Sequence, residues 1–407
     1  MSSAVVASMV WPPLLYAAVG TAAFLWVLRW VARGYLTIRT PLDGAIVPLV
    51  VMGIISLGIT TLPAKTLTQV FRLLSGIALY YAISNWDISI PRLRALGFGI
   101  GLAGILLALF STVSVVWTAR KFPWLPLELY ERFAILVSDT VNPSVMAGSL
   151  VILLPIVLAW LLFAWPVGRW RERILMILSC LAILLVLGLT QARGAFLALG
   201  AVLVSLVILR WHRGWIVITL VVIVALGAIG IFGTARFSDA LSAVMQVQGL
   251  QDRTEIWSRA LFMVQDFPYT GVGMGSFLET ANLLYPFFSF QQSGAFHAHN
   301  LFLQIAADLG IPGLVAWLAI WLVLTAVSWQ IYRAGRLGGD PLALAFGAGL
   351  LCSQIALVLH GLTDAVTWGI VRSAPIVWAL WGVVVAAYRM LVLSAQGSTP
   401  LSDPIRP

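Results

Sequence analysis

Charged residues are scarce in this chain of 407 residues. Only 10% of the residues are Asp, Glu, Lys or Arg, whereas 61% are hydrophobic and the mean hydropathy is +1.00. Soluble globular domains carry about a quarter charged residues, so the composition excludes an ordinary soluble protein. It indicates a polytopic membrane protein without a separate soluble domain.

The chain also has few cysteines and no basic amino-terminal segment. Cys180 and Cys352 fall inside apolar runs, which predicts buried packing residues and argues against a disulfide framework. The opening stretch MSSAVVASMVWPPLLY has no positive charge ahead of its apolar part, so we expect it to enter the first membrane span. The sequence shows no convincing internal repeat.

Long apolar runs recur along nearly the whole chain. A helix needs about 20 apolar residues to cross a bilayer, and runs approaching this length lie between charged or Pro/Gly-rich breaks. They predict eleven spans, near 11–29, 45–62, 67–84, 95–113, 144–163, 174–190, 195–210, 214–233, 312–332, 342–359 and 370–388. We therefore expect an all-α, polytopic transmembrane bundle that forms a single integral membrane domain over residues 1–407.

Basic residues are concentrated in alternate short loops, and this predicts the orientation of the spans. Cytoplasmic loops retain Lys and Arg, which puts the N-terminus outside and the C-terminus inside. The net charge of +9 is then a topology signal and gives no grounds for a nucleic-acid partner. Two long loops fall on the outer side, a shorter one at 114–143 and a larger one at 234–311.

The larger outer loop combines an amphipathic helical pattern with a glycine-rich turn. We expect the helix to lie at the membrane surface and to end at Pro268. Its apolar face is predicted to consist of Ile256, Ala260, Leu261 and Val264. The following GVGMG, residues 271–275, permits tight backbone turns but lacks the lysine of a phosphate-binding Walker A loop. A structural turn is therefore favoured there over a phosphate site.

Two histidines, His297 and His299, come at the end of this loop. Asn300 to Leu309 predicts a short amphipathic helix, which GIPG breaks before the next span begins at Gly313. His299 would lie at the helix N-terminus, where free N–H groups and partial positive charge favour a neutral imidazole and an anionic ligand. A neutral imidazole can act as a base. The simpler alternative is an interfacial histidine that makes one hydrogen bond.

The spacing around His299 resembles the motif of the O-antigen ligase and polymerase superfamily, which is His, then Asn, Ser or Gln, nine residues, and Gly-x-x-Gly. Here His299 and Asn300 are followed by nine residues and then by Gly310, Ile311, Pro312 and Gly313. Further segments resemble this superfamily at Arg253 and Trp257 (Arg-x-x-x-Trp), at Arg193 (TQARGAFLAL) and at Asn142 (VNPSVMAG). The resemblance covers roughly residues 140–315 and implies a GT-C-like bundle, in which ligases typically have twelve spans.

The resemblance implies a glycosyltransferase of the bacterial cytoplasmic (inner) membrane with its active site facing the periplasm or exterior. The donor would be a glycan on polyprenyl (undecaprenyl) diphosphate, and the acceptor a hydroxyl such as that of a lipid A-core sugar. Arg193 and Arg253 would stabilise the departing diphosphate, and His299 would be the catalytic base of a single, inverting displacement. The outer segments lack an Asp-x-Asp or similar carboxylate cluster, so we expect no metal and no cofactor.

Further residues are candidates for substrate binding. They are Asn142, Arg259, His297, Asn300 and Asp364. A solvated helix face is the favoured alternative for Arg259, and the motif does not require His297. Asp364 lies four residues after His360 beside the last outer turn, and it would either orient His299 or contact the acceptor sugar.

The resemblance leaves the acceptor open. A ligase is favoured because the His-Asn-x9-Gly-x-x-Gly match is complete, but an O-antigen or exopolysaccharide polymerase or a protein O-oligosaccharyltransferase would share these residues. A membrane transporter is the alternative of a different class, and it would show repeats and ionisable groups near the bilayer midplane. A non-catalytic scaffold would tolerate His299→Ala.

Overall fold

The structure is a computed structural model. It describes residues 14–86, 89–117, 135, 140–211, 213–216, 219, 223–224, 227, 248–288, 297–365, 367–369 and 374–393. Among these residues no β-strand forms, and a single isolated bridge joins Val115 to Val141. The predicted all-α class is confirmed.

The described part of the chain contains twelve α-helices. In order they are α1 (Leu14–Arg33), α2 (Asp43–Ile59), α3 (Pro63–Ser84), α4 (Ile90–Ser114), α5 (Pro143–Ala159), α6 (Trp170–Thr190), α7 (Arg193–Arg210), α8 (Gln248–Asp266), α9 (Phe277–Leu284), α10 (Leu301–Gly338), α11 (Pro341–Gly361) and α12 (Ala374–Tyr388). A π-helical turn (Trp160–Ala164) and a 3₁₀ turn (Trp165–Val167) extend α5, and a π-helical turn (Arg389–Leu393) extends α12.

Eight of the described helices are long and apolar enough to cross a membrane, and they are α3, α4, α5, α6, α7, α10, α11 and α12, where α5 and α12 include their extensions. The chain is therefore a multi-pass membrane protein. The apolar α2 is shorter, at 17 residues, and α1 overlaps the first predicted span. The predicted span 214–233 and the loop 114–143 lie largely outside the described residues, so the total of eleven spans stays a prediction.

One span boundary differs clearly from the prediction. The span expected to end at residue 332 continues as helix to Gly338, through Arg333 and Arg336. Arginines end an apolar run in the sequence but are good helix formers, and their long side chains can reach water from a helix end. The helix therefore continues beyond the end of the apolar run.

The centre of the bundle is α11, which packs against α5, α7 and α10. A Cβ atom on Gly347 would lie 2.3 Å from the backbone nitrogen of Tyr332 in α10, so α10 and α11 approach as closely as their backbones allow. Ser353 Oγ donates a hydrogen bond to the Ile152 carbonyl of α5 at 2.7 Å. Small residues and buried hydroxyl bonds of this kind hold helices together where lipid supplies no hydrophobic driving force.

Polar contacts at the two ends of the bundle separate two faces. At one face, Arg94 of α4 meets Glu172 of α6 at 3.2 Å, and Arg389 donates to the Ser84 carbonyl at 2.7 Å. At the other face, Lys65 of α3 meets Glu279 of α9 at 2.7 Å. The segments that carry the candidate residues, including the starts of α7 and α10 and the end of α11, belong to this second face.

Candidate active site

Helix α8 carries a buried apolar face that matches the predicted one only in part. Ile256, Ala260 and Met263 are buried and pack against Phe277 and Ala298 of the same outer region. Leu261, which was expected on this face, is 48% exposed. The predicted face is therefore confirmed at Ile256 and Ala260 and wrong at Leu261, because neighbouring segments of the loop cover a stripe that runs through Met263 instead. The position of the helix at the membrane surface stays a prediction.

The glycine-rich turn packs against the break in α10. Val272 and Gly273 donate backbone hydrogen bonds to the carbonyls of Ala307 and Asp308, at 2.8 and 3.2 Å. Gly310 has φ 70°, and a Cβ there would lie 2.7 Å from the carbonyl carbon of Tyr269. Residues 271–277 are all buried. The interpretation of GVGMG as a structural turn is therefore supported, because the N–H groups of Val272 and Gly273 are hydrogen-bonded to protein carbonyls.

The stretch 301–309 is helical, and the kink at Gly310 separates it from the rest of α10 as predicted. The prediction that this helix is amphipathic was wrong. Gln304 and Asp308 are 5% and 2% exposed, as deeply buried as their apolar neighbours. An amphipathic helix would turn such polar side chains to solvent, yet both are hydrogen-bonded inside the protein, as buried polar groups require.

Asn300 fixes the N-terminus of α10 and joins it to the end of α11. Its Oδ1 accepts hydrogen bonds from the backbone nitrogens of Phe302 and Leu303, at 3.0 and 3.1 Å. Its Nδ2 donates to the Leu362 carbonyl at 3.2 Å. The side chain thus acts as an N-cap, and the bond to Leu362 brings the segment after α11 beside the two histidines.

His297, His299 and Asp364 form one cluster. The Oδ1 atom of Asp364 lies 3.4 Å from His299 Nδ1 and 3.6 Å from His297 Nε2. These distances are longer than an ordinary hydrogen bond, and His299 Nδ1 makes no hydrogen bond with the described residues. The ring centroids of the two histidines are 4.3 Å apart. Asp364 is buried, whereas both imidazoles are partly exposed.

A backbone bond determines which nitrogen of His297 carries the proton. The backbone N–H of His299 donates to His297 Nδ1 at 3.1 Å. In a neutral imidazole one nitrogen accepts and the other donates, so Nε2 of His297 carries the hydrogen and directs it towards Asp364. A hydrogen on Nδ1 of His299 faces the same carboxylate, which leaves Nε2 of His299 with a free electron pair.

Burial and neighbouring charge set the ionisation of this cluster. Burial lowers the pKa of His297 to about 4, Asp364 opposes this shift, and the positive charges of His299 and Arg253 add to it. Burial alone would raise the pKa of Asp364, but the contact with His299 and the charges of the three nearby histidines, including His360, outweigh it and hold the pKa below its usual range. Near neutral pH the cluster therefore combines a carboxylate with a neutral His297.

The three side chains also have the composition of a metal site, since one possible ligand atom from each lies within 4.8 Å of the others. The proton on Nε2 of His297 argues against this use, because a metal binds a nitrogen lone pair and not an N–H. Moving that proton to Nδ1 would set it against the N–H of His299. The donor set therefore fits proton sharing better than metal binding.

Two arginines come near this cluster from other helices. Arg253 of α8 is close enough for its charge to lower the pKa of His297. Arg193 is the first residue of α7, and the next residue, Gly194, packs so tightly against Thr363 that a Cβ would lie 1.8 Å from the threonine hydroxyl. The start of α7 therefore adjoins the residue before Asp364, while the charge of Arg253 acts on His297.

The structure places two other predicted residues differently. Arg259 is not on a solvated face, because its side chain is 12% exposed and pairs with Glu255 at 3.1 Å. Its guanidinium also lies 5.3 Å from the ring centre of Phe288. Asn142 caps α5 by accepting a hydrogen bond from the Ser144 nitrogen at 2.9 Å. Substrate binding by either residue stays a prediction.

A second buried carboxylate was missed in the sequence. Asp308 accepts hydrogen bonds from Gln304 Nε2 (2.9 Å), Trp368 Nε1 (2.9 Å) and the Gly275 nitrogen (3.3 Å). Gln304 Oε1 in turn accepts from the nitrogen of Ala298, between the two histidines, at 2.7 Å. The sequence does contain a signal for this carboxylate, because Asp308 lies inside the apolar run QIAADLG. A buried acid is energetically costly unless it is hydrogen-bonded.

Fold and site together define a class of protein, namely a multi-pass helical membrane protein that gathers imidazoles, a buried carboxylate and arginines at one face. Residues 178–318 match the family model described as O-Antigen ligase. Through this segment, which contains Arg193, Arg253 and His299, the chain is similar to the O-antigen ligase family. Asp364 lies beyond the matched segment. No curated protein matches the chain.

Proposed function

We propose that this protein transfers a glycan from a polyprenyl diphosphate carrier to an acceptor hydroxyl at the outer face of the bacterial cytoplasmic membrane. The observation that carries the proposal is the His299 imidazole, whose Nδ1 lies 3.4 Å from the buried carboxylate of Asp364. A carboxylate behind Nδ1 keeps the proton on that nitrogen and leaves Nε2 as the base. The O-antigen ligase match supports a lipid-linked donor.

The proposed chemistry is a single displacement at the anomeric carbon. The acceptor oxygen forms the new glycosidic bond while its proton passes to Nε2 of His299. The bond between the anomeric carbon and the diphosphate oxygen breaks, and its electron pair leaves with the polyprenyl diphosphate. Asp364 stabilises the imidazolium that forms, as a carboxylate behind a general base does.

Arg193 and Arg253 are the proposed partners of the departing diphosphate. Guanidinium groups stay charged and donate two parallel hydrogen bonds to phosphate oxygens. Arg193 and Arg253 lie on separate helices, α7 and α8, so two independent segments can contribute to binding one diphosphate. Fixed donors aimed at developing charge are commonly the largest single contribution to catalysis.

The preferred acceptor is a sugar hydroxyl of lipid A-core, as in an O-antigen ligase. A second lipid-linked glycan, as in a polymerase, or a protein hydroxyl would use the same base and arginines. Arginines at the opposite face, such as Arg94, Arg169 and Arg173, support an orientation in which the site faces outwards.

The test is transfer by the purified protein in EDTA. A polyprenyl-diphosphate oligosaccharide is offered with lipid A-core, with a second lipid-linked oligosaccharide, or with a hydroxyl-bearing peptide, and products are resolved by mass spectrometry. We expect transfer to lipid A-core, and a loss of about 10²- to 10⁴-fold in kcat for His299→Asn. Asparagine tolerates the positive φ of 47° at this position, so the fold is kept.

Matched variants separate the roles of the charged residues. Arg193→Lys and Arg253→Lys keep the charge but lose the two-pronged hydrogen bonds, and we expect both to lower kcat. Lys65→Ala removes a cation from the same face and serves as the control. Loss of transfer in EDTA would contradict the metal-free mechanism, and full activity of His299→Asn would contradict the base. Solute uptake by proteoliposomes without any transfer would favour a transporter.

A further inference from the structure

We infer that His297 is a positioning residue that holds His299 in its reactive conformation and shares the Asp364 carboxylate with it. The inference rests on the proposed function, because it assigns a second residue to the site of the base. It is carried by two separate contacts of one imidazole, one to the backbone of His299 and one to Asp364.

The first contact supports an unusual backbone. His299 has φ 47°, one of two positive values among the described residues other than glycine. Non-glycine residues in this left-handed region are uncommon and need support from their surroundings. The hydrogen bond from the His299 nitrogen to His297 Nδ1 supplies support on the N-terminal side, and the Asn300 cap supplies it on the C-terminal side.

The second contact bears on the charge that His299 experiences. Nε2 of His297 carries a hydrogen and lies 3.6 Å from the same Asp364 oxygen that faces His299 Nδ1. When two donors share one carboxylate, each of them experiences less of its negative charge than a single donor would. His297 and His299 therefore share the Asp364 carboxylate, and removal of the His297 donor leaves that oxygen to His299.

The other ionisable groups around the cluster come from three segments. Asp364 follows α11, His360 lies in its last turn, and Arg253 comes from α8. Since these groups are unchanged when His297 is replaced, a change in the pH dependence of the His297 variants reports on His297 itself.

Two substitutions separate the two contacts. In His297→Asn the side-chain oxygen takes the place of Nδ1 but no donor reaches Asp364. In His297→Gln the amide nitrogen takes the place of Nε2 and can donate to Asp364, but the acceptor for the His299 nitrogen is displaced. His297→Ala removes both contacts. Melting temperatures of the detergent-solubilised proteins show whether each variant is folded.

The readouts are the pH profile of kcat and the pH profile of His299 modification by diethyl pyrocarbonate, followed by peptide mass spectrometry. We expect the acid-side midpoint of both profiles to move to higher pH in His297→Asn and to stay near wild type in His297→Gln. We expect kcat at its pH optimum to fall about tenfold in His297→Gln and His297→Ala, because the base is misplaced.

Unchanged midpoints in His297→Asn together with a wild-type kcat in His297→Gln would overturn the inference. The modification profile does not depend on catalysis. If the wild-type protein transfers no glycan, the proposed function fails, while a midpoint shift in His297→Asn still supports the sharing of Asp364.

Discussion

Asp308 and Asp364 are both buried carboxylates near the same face of the bundle, but their partners differ in kind. Asp308 accepts from an amide, an indole and a backbone nitrogen. Asp364 accepts from the Ala365 nitrogen at 2.9 Å and otherwise faces two imidazoles. Neutral donors such as those around Asp308 do not exchange protons near pH 7, whereas imidazoles do.

This difference indicates different roles for Asp308 and Asp364. The partners of Asp308 link the glycine-rich turn, the kink of α10 and Trp368, so Asp308 holds segments together. Asp364 faces imidazoles, which can exchange protons, and such carboxylate–imidazole clusters are typical of catalytic sites. Burial alone would not have separated them, since they are 2% and 4% exposed.

Replacement of the carboxylate at the histidines gives the largest expected effect. Asp364→Asn keeps the size of the side chain and one acceptor oxygen, but it removes the charge that stabilises an imidazolium. We expect kcat to fall about 10²-fold or more, with little change in melting temperature. Transfer assays on folded, purified protein check this, and a variant that unfolds while keeping its kcat would reverse the assignment.

The same substitution at the other acid should act on stability. In Asp308→Asn an amide NH₂ replaces one oxygen, and at least one of the three donors then loses its acceptor. A buried donor left unpaired costs about 1–3 kcal/mol, so we expect a lower melting temperature and less folded protein. Activity per folded molecule should fall far less than in Asp364→Asn, and an equal loss of kcat in both would erase the distinction.

Acid should act through the histidine cluster. The folded pKa of His297 is lowered to about 4, below the value of about 6.5 for an unfolded histidine. Between these values the unfolded chain binds more protons, so stability falls as the pH drops from about 6.5 to 4. Melting temperatures across this range, compared between wild type and His297→Gln, test the prediction. The variant should lose less stability, and parallel curves would contradict it.

The smallest effect is expected at the half-exposed ion pair between Lys65 and Glu279. Solvent screens such a pair, and exposed pairs contribute less than about 1 kcal/mol. Lys65→Ala should therefore change the melting temperature by only a few degrees and leave transfer intact. A large loss of transfer would contradict this prediction. It would mean that the charge of Lys65 contributes to the site, and that the site is not limited to the surroundings of the histidine cluster.

Much of the fold follows from the sequence because membrane spans obey simple rules of length and polarity. The kink at Gly310 was also predictable, since glycine and proline interrupt helices. The predicted face of α8 was only partly right, because a helical pattern shows which residues are apolar but not what covers them. Met263 packs inside and Leu261 does not, a choice made by the neighbouring segments.

The candidate site was only partly predictable. Motif spacing gave His299, Arg193 and Arg253, but it set His297 aside and left two roles open for Asp364. Long-range packing brings the segments that carry these residues together, through the contact of Asn300 with Leu362 and of Gly194 with Thr363. Asp308 went unnoticed because an acid in an apolar run has a clear role only once its donors are known.

The bond from Asn300 to the Leu362 carbonyl has a consequence for synthesis of the protein. The ribosome completes Arg193, Arg253 and both histidines well before Asp364, so a chain still being inserted holds the base without its carboxylate. The cluster can form only after α11, which separates the histidines from Asp364 in the chain, has been made and packed against α10. Under the proposed function, products that stop before α11 should therefore be inert towards the lipid-linked donor.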